Sequence, residues 1–310
     1  MPFINKRILE IHRNHRRNVK KLYGGPVTRK TKNKSDFLTI YIMFVITIMV
    51  IGVTLNRINV YMALQTIHKE GINYDYFREL IIPTDSKYLG EYKNTEGTQY
   101  DMYDNIVLDI LLKQNGYSGA YNILPSNKNK LLDNLSTNSA FKELKGYIHA
   151  ILDDVKTFPV NSKLLENEKV TYIDSWNYLR NYGGKRKHEG TDIMSSDNQP
   201  DVIRVLSMTD GTVEKLGWLE MGGYRVGIRG TEGAYFYYAH LSSYAEDLKI
   251  GDKVMAGDFI GYMGDSGYGI EGTTGKFPVH LHVGIYIETP FGEVSVNPYL
   301  VLKILEASHK

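Results

Sequence analysis

Histidine and aspartate residues recur at short spacings in the second half of this 310-residue chain. His188 and Asp192 lie four residues apart, and His280 and His282 lie two apart within a run of β-forming residues. Residues i and i+2 of a β-strand project from the same face, so both imidazoles of the second pair reach one site. A further histidine, His240, ends a strand-like aromatic run. Side chains of these types bind metal ions and transfer protons.

A zinc ion that catalyses hydrolysis needs three protein ligands and an open fourth position for water. Imidazole nitrogens and carboxylate oxygens suit this ion, and the chain has no cysteine to supply a thiolate. Two histidines and Asp192 would meet the requirement and leave two histidines for proton transfer. His188 and Glu189 suggest the helical HExxH motif, but position 192 is aspartate and Gly190 disfavours a helix. The residues therefore predict a zinc site of another kind, without saying which two histidines are ligands.

Short β-rich runs separated by glycine and aspartate begin near residue 170. The clearest of them are residues 211–213, 224–228, 234–240, 259–263 and 279–287. Regularly spaced short strands with turn signals predict a mainly β fold, an antiparallel β-sandwich or barrel-like domain. The sequence has no strand–helix alternation and no glycine-rich phosphate loop that opens a helix, which disfavours a nucleotide-dependent enzyme.

Three motifs occur in order within this β-rich region: HxxxD at residues 188–192, a strand ending in His240, and HLHV at residues 280–283. Together they resemble the lysostaphin/LytM-type zinc metallopeptidases, which cut the cross-bridges and stem peptides of peptidoglycan. The resemblance covers residues 174–302. It implies the duplicated hybrid motif fold of that family and dependence on Zn²⁺.

The resemblance also implies a role for each residue of the site. His188 and Asp192 match the first two zinc ligands of the family, and His282 matches the third. His240 and His280 match the two catalytic histidines that do not bind the metal. The division within the HLH pair depends on the resemblance, because strand geometry indicates only that both side chains face the site.

The mechanism expected from the resemblance uses the zinc ion to lower the pKa of its bound water towards about 7. His280, together with His240, would act as general base and return the proton to the leaving amine. Some members of the family have a tyrosine that stabilises the transition state, and Tyr182, six residues before His188, matches it. Tyr182 is therefore a third candidate catalytic residue.

The N-terminal residues 1–36 are strongly basic. They contain eleven Lys or Arg against Glu10 and Asp36, a charge of +9, so the formal total of +2 leaves −7 for the rest of the chain. The next nineteen residues, 37–55, carry no charge and would span about 28 Å as a helix, close to the thickness of a bilayer core. A buried soluble helix and a cleaved signal peptide are alternatives, but the latter is disfavoured because the run is long and begins far from residue 1.

Four segments are therefore predicted: a basic cytoplasmic tail at 1–36, a transmembrane helix at 37–56, a helical stalk or prodomain at 57–169, and a LytM-like zinc peptidase domain at 170–310. The excess of positive charge before the apolar run places the tail in the cytoplasm, near anionic lipid headgroups, and the peptidase domain outside the cell membrane. Helical periodicity, for example at Phe141, Leu144, Ile148 and Ile151, predicts the helices of the third segment.

The leading hypothesis is a membrane-anchored zinc metalloendopeptidase whose partners are peptidoglycan, the cytoplasmic membrane and other cell-envelope proteins. The main alternative is a catalytically inactive scaffold of the same fold in a division or sporulation complex. Such scaffolds usually lack one of the metal or catalytic residues, whereas all five are present here. A nucleic-acid-binding role for the basic tail is disfavoured by the membrane span. A further hypothesis is latency, in which residues 57–169 cover the cleft until they are removed.

Overall fold

The computed structural model describes Arg13 and residues 34–82, 99–117, 125–167, 169–182 and 184–308. The chain divides into two compact units, with the division between Asn59 and Val60. Most of the predicted basic tail lies outside the described residues. Among those residues, all β-strands belong to the second unit.

A long apolar helix, α1 (Lys34–Glu70), contains the run predicted to cross a membrane and continues beyond residue 56. Its stretch Asp36–Glu70 is long and apolar enough for a membrane span, and its most apolar part is not buried inside the protein. The hydroxyl groups of Thr47 and Thr54 each donate to a carbonyl four residues earlier at 2.8 Å, so neither needs an external partner. Such a helix is suited to be a membrane anchor or a signal sequence.

Short helices follow α1 and confirm the predicted helical segment. They are α2 (Tyr74–Arg78), α3 (Met102–Lys113), α4 (Pro125–Leu135), α5 (Ser139–Asp154) and α6 (Lys163–Glu166). The predicted apolar stripe lies on α5, where Phe141, Leu144, Ile148 and Ile151 are buried. Asn138 caps this helix by accepting a hydrogen bond from the Phe141 N–H at 3.0 Å.

The helical segment packs directly on the strands. Asp154, at the end of α5, is fully buried and accepts hydrogen bonds from the backbone N–H groups of Glu232 at 2.8 Å and Ala234 at 3.1 Å. The Arg78 carbonyl accepts a hydrogen bond from the Asn297 N–H at 2.7 Å. Helices and strands therefore share one compact unit from Val60 onward.

The strands pair antiparallel throughout, which confirms the predicted mainly β fold. They are β1 (Val170–Tyr172), β2 (Leu179–Arg180), β3 (Arg186–Lys187), β4 (Thr191–Ser195), β5 (Arg204–Leu206), β6 (Gly211–Leu219), β7 (Gly223–Gly230), β8 (Tyr235–Tyr244), β9 (Lys253–Val254), β10 (Phe259–Met263), β11 (His280–Thr289) and β12 (Gly292–Val296). The main sheet has the order β1-β4-β11-β8-β7-β6-β9, while β2 and β3 form a separate hairpin. A last helix, α7 (Tyr299–Ser308), follows β12.

One face of the central strands forms the core. Leu281, Val283 and Ile285 on β11 are fully buried. Because successive residues of a strand point to opposite faces, His280 and His282 share the other face, as their spacing predicts.

The strand register places several residues of that other face in one row. His282 on β11 pairs with Asp192 on β4 and with Ala239 on β8. The pairing of β7 with β8 shifts register at this point. One residue of β7, Arg225, therefore lies opposite two residues of β8, Ala239 and His240. His240 has a left-handed backbone with a φ of 63°, a conformation that is strained for a non-glycine residue and that often re-aims a side chain at a site.

Candidate metal centre

The three predicted metal ligands lie together. His188 Nε2 is 3.1 Å from Asp192 Oδ1 and 3.0 Å from His282 Nδ1, and His282 Nδ1 is 2.9 Å from Asp192 Oδ1. A tetrahedral zinc ion with bonds of about 2.0–2.1 Å holds its ligand atoms about 3.3 Å apart. The triangle therefore has the size and the atom types that zinc requires, and these three residues form a group that could hold a metal ion.

The contacts of its Nδ1 atom fix the orientation of the His188 ring. Its Nδ1 lies 3.1 Å from the carbonyl oxygen of Ser175 and 3.1 Å from the Ser175 hydroxyl oxygen. Because a carbonyl oxygen can only accept, Nδ1 donates its proton to it. The proton on Nδ1 leaves a lone pair on Nε2, the nitrogen that faces Asp192. A side chain at Gly190 would collide with the His282 ring. The glycine between the two ligands is therefore needed for packing, in addition to disfavouring a helix.

Asp192 is held as a carboxylate between histidines and an arginine. Burial would raise the pKa of Asp192, but hydrogen bonds from His188 and His282 outweigh burial and hold that pKa below its usual range. Its second oxygen, Oδ2, accepts a hydrogen bond from Arg180 Nη2 at 2.6 Å. Oδ1 is thereby directed towards the two imidazoles.

Arg180 was not predicted from the sequence. It lies on the two-residue strand β2, and nothing in its spacing from Asp192 distinguishes it from other basic residues of the region. Its role depends on the hairpin of β2 with β3, where Arg180 pairs with Arg186. Only the folded hairpin brings the guanidinium to the carboxylate.

Replacing Arg180 with glutamine is expected to weaken zinc binding by about 10–100-fold, because ligand-orienting contacts of this kind have effects of that size. Arg186→Gln is the matched control, since Arg186 donates to the Tyr268 hydroxyl at 3.0 Å rather than to Asp192. Competition with a chromogenic chelator measures both affinities. Equal affinities of the two variants would contradict the orienting role.

His280 and His240 lie beside the candidate ligands, with one nitrogen of each fixed to the backbone. The Nδ1–H of His280 donates to the Pro278 carbonyl at 2.7 Å, and that of His240 donates to the Ser266 carbonyl at 2.8 Å. Their ring centroids are 4.7 Å apart. His280 Nε2 lies 3.8 Å from Asp192 Oδ1. Both rings can thus present an Nε2 lone pair to the cleft.

Burial favours the neutral form of these two histidines. Burial lowers the pKa of His240 well below its ordinary value, and the neighbouring His280 and His282 lower it further. Burial also lowers the pKa of His280, while the charge of Asp192 opposes that shift. A neutral imidazole can accept a proton, as a general base must.

Tyr182 is not brought to the metal cluster. Its ring stacks on Tyr268, with centroids 4.0 Å apart and planes 6° from parallel, and its hydroxyl donates to the Tyr268 carbonyl at 2.5 Å. The ring is 39% exposed and lies outside the set of residues that line the cleft. The catalytic role of Tyr182 stays a prediction.

The site opens into a cleft of about 680 Å³. Tyrosine rings line its floor where glycines leave room: a side chain at Gly222 would collide with the Tyr237 hydroxyl, and one at Gly227 would collide with the Tyr235 hydroxyl. Tyr268 and Phe277 of the glycine-rich segment 264–277 form part of the wall. The described residues of the helical segment do not line the cleft themselves, but Arg78 of α2 pairs with the lining residue Glu189 at 2.5 Å.

Comparison with known proteins places this site in a family. Residues 186–298 match the model of peptidase family M23. The chain is 44% identical over 136 residues to an L-Ala–D-Glu endopeptidase of Bacillus subtilis, covering 44% of this chain and 40% of that protein. It is 32% identical over 106 residues to the glycyl-glycine endopeptidase ALE-1 of Staphylococcus capitis, covering 30% and 28%. The chain thus spans less than half the length of each of these relatives.

The crystal structure of a candidate glycyl-glycine endopeptidase lytM from Ruminococcus gnavus is similar over a longer region. It is 44% identical, with a TM-score of 0.66, and the match covers 79% of this chain and 96% of that one. Because 79% of the chain is more than residues 170–310 contain, the similarity includes part of the helical segment. The chain belongs to peptidase family M23, the family of the peptidoglycan endopeptidases.

Proposed function

We propose that this protein is a zinc-dependent endopeptidase that hydrolyses peptide bonds in the stem peptides or cross-bridges of peptidoglycan. The observation that carries the proposal is the triangle of donor atoms 2.9–3.1 Å apart, with two further histidines in the same cleft. The names of the two curated relatives, both endopeptidases, support the same reaction class.

His188, Asp192 and His282 would hold the ion through Nε2, Oδ1 and Nδ1. A bound zinc ion supplies Lewis acidity, which lowers the pKa of water at its open position to about 7. Arg180 and Ser175 keep two of the ligands in place through their hydrogen bonds.

His280 acts as the general base. Its Nε2 accepts a proton from the attacking water, and the Nδ1–H bond to Pro278 keeps the ring in the tautomer that can do so. The proton then passes to the leaving amine. The His240 ring lies 4.7 Å from that of His280, and its Nε2 lone pair can take up the proton in turn; once protonated, Nε2 can donate a hydrogen bond to the substrate oxygen. Tyr182 would contribute only if its hydroxyl left the Tyr268 carbonyl.

The enzyme is held at the membrane by α1, with the N-terminus in the cytoplasm and the catalytic domain outside. The supporting observations are the uncharged, unburied apolar stretch and the basic residues that precede it. Peptidoglycan would be the substrate met on that side of the membrane.

Fractionation of cells that express the full chain tests activity and anchoring together. Membranes are expected to release peptides from purified peptidoglycan, and the release should stop with a zinc chelator and resume when zinc is added. Mass spectrometry of the products identifies the bond that is cut. Release by the soluble fraction alone would contradict the anchor, and zinc-loaded membranes that release nothing would favour the inactive scaffold.

A further inference from the structure

The cleft around the candidate metal centre is rich in positive charge. Its two acidic side chains are already engaged: Glu189 pairs with Arg78 at 2.5 Å and Asp192 pairs with Arg180 at 2.6 Å. The basic side chains that line the cleft are Arg180, Arg186, Lys187, Lys215 and Arg225. Apart from Arg180, none of these has an ion pair among the residues the structure describes. The uncompensated charge favours an anionic ligand.

Two cations of this set, Lys215 on β6 and Arg225 on β7, belong to the main sheet, and of these Arg225 is the one that is partly buried. It lies on β7, where its neighbours on β8 are Ala239 and His240 at the register shift. Its Nη1 atom is buried and has no hydrogen-bond partner among the described residues. A buried, unpaired guanidinium nitrogen carries a desolvation cost that an oxygen ligand from the substrate would remove.

The distance from Arg225 to the metal centre suits a short peptide. Adjacent strands are about 4.8 Å apart, so the Cα of Arg225 lies about 10 Å from that of His282, with Ala239 between them. Ala239 contributes only a methyl group, which leaves space above it. An extended chain advances about 3.3–3.6 Å per residue. A side group within two residues of the bond at the metal centre can therefore reach the guanidinium.

We propose that Arg225 binds a carboxylate of the substrate within two residues of the scissile bond, so that the enzyme selects acidic peptides. Arginine matches a carboxylate because its planar N–H groups can form two parallel hydrogen bonds with it. Lys215, exposed at the rim, adds positive charge along the approach. This inference rests on the proposed endopeptidase function and specifies the substrate class of the same site.

Two synthetic stem peptides test the proposal. Both contain the L-Ala–D-Glu linkage, and they differ only in whether the free carboxyl group of the glutamate is a carboxylate or a carboxamide. The full chain, loaded with zinc in detergent, is expected to hydrolyse the carboxylate peptide with a kcat/KM about 10–100-fold higher, the usual range for hydrogen bonds to a charged group. Arg225→Gln should reduce this ratio to about one by weakening hydrolysis of the carboxylate peptide alone.

Arg229→Gln is the matched control. Arg229 lies on the same strand and the same face as Arg225, but its guanidinium is paired with Glu214 at 2.8 Å and Glu293 at 2.9 Å, and it does not line the cleft. This variant should keep the wild-type ratio. Arg225→Lys keeps the positive charge but loses the planar guanidinium group, so it should give an intermediate ratio. A partial effect of this kind indicates a weakened contact with the carboxylate, whereas a misfolded strand would reduce hydrolysis of both peptides.

Binding of the two peptides to zinc-loaded His280→Ala separates this proposal from the proposed function. If the wild type cleaves neither peptide, the endopeptidase assignment fails, but tighter binding of the carboxylate peptide that depends on Arg225 would still support the subsite. Equal affinities for the two peptides, or a preference unchanged by Arg225→Gln, would overturn it.

Discussion

The His280→Ala variant is expected to lose hydrolysis while it keeps its zinc ion. His280 Nδ1 is bound to the Pro278 carbonyl, and its Nε2 stands 3.8 Å from the nearest ligand oxygen, outside the triangle of donor atoms. Removing a general base of this kind lowers kcat by about 10²–10⁴-fold. Peptide release from purified peptidoglycan, with the zinc content of the same sample measured by mass spectrometry, checks both halves of the prediction.

His282→Ala is the matched variant for that experiment. The two histidines lie on one strand and one face, two residues apart, yet only His282 has a nitrogen within 3.0 Å of both other candidate ligands. His282→Ala should therefore lose zinc and hydrolysis together. If instead His280→Ala released the metal and His282→Ala retained it, the two roles would be exchanged.

Asp192→Asn is expected to abolish both zinc binding and hydrolysis, although the side chain keeps its size. Oδ1 of Asp192 contacts the imidazoles of both His188 and His282. The substitution removes the negative charge of this carboxylate. An amide oxygen is a much weaker zinc ligand than a carboxylate. The loss of affinity should exceed the roughly 10–100-fold effect expected for Arg180→Gln, which removes only an orienting contact.

Asp197→Asn provides the control for Asp192→Asn. Asp197 is an exposed residue just after β4 and pairs with Lys169 at 3.1 Å. Removing the charge of Asp197 should leave the zinc affinity unchanged. Zinc affinity is measured by competition with a chelator, and peptide release is measured on the same preparations. Full zinc binding by Asp192→Asn would show that the ligand set is wrong.

Local spacing in the sequence was enough to predict that the histidines of the HLH pair share one face of a strand. The i and i+2 positions of His280 and His282 imply a shared face on a strand, and the β-rich runs after residue 170 imply antiparallel pairing. Spacing could not divide the HLH pair, because that division depends on what each Nδ1 contacts. One Nδ1 meets a carbonyl two residues away in the chain, while the other meets a carboxylate on a neighbouring strand.

Contacts between distant segments could not be predicted from the sequence. Arg180 reaches Asp192 through a hairpin of two-residue strands, and Arg225 reaches the cleft through a register shift between β7 and β8. Both features depend on pairing rather than on composition. The same holds for the helical segment, whose helices were predicted by their periodicity but whose packing on the strands through Asp154 has no local signal.

Titration of the metal-free full chain with zinc, with peptide release measured at each step, tests the central claim most directly. Hydrolysis of peptidoglycan is expected to be absent without metal and to rise in proportion to bound zinc until one ion per chain is held. Hydrolysis by the metal-free chain, or a chain with one bound zinc that releases no peptide, would contradict the account.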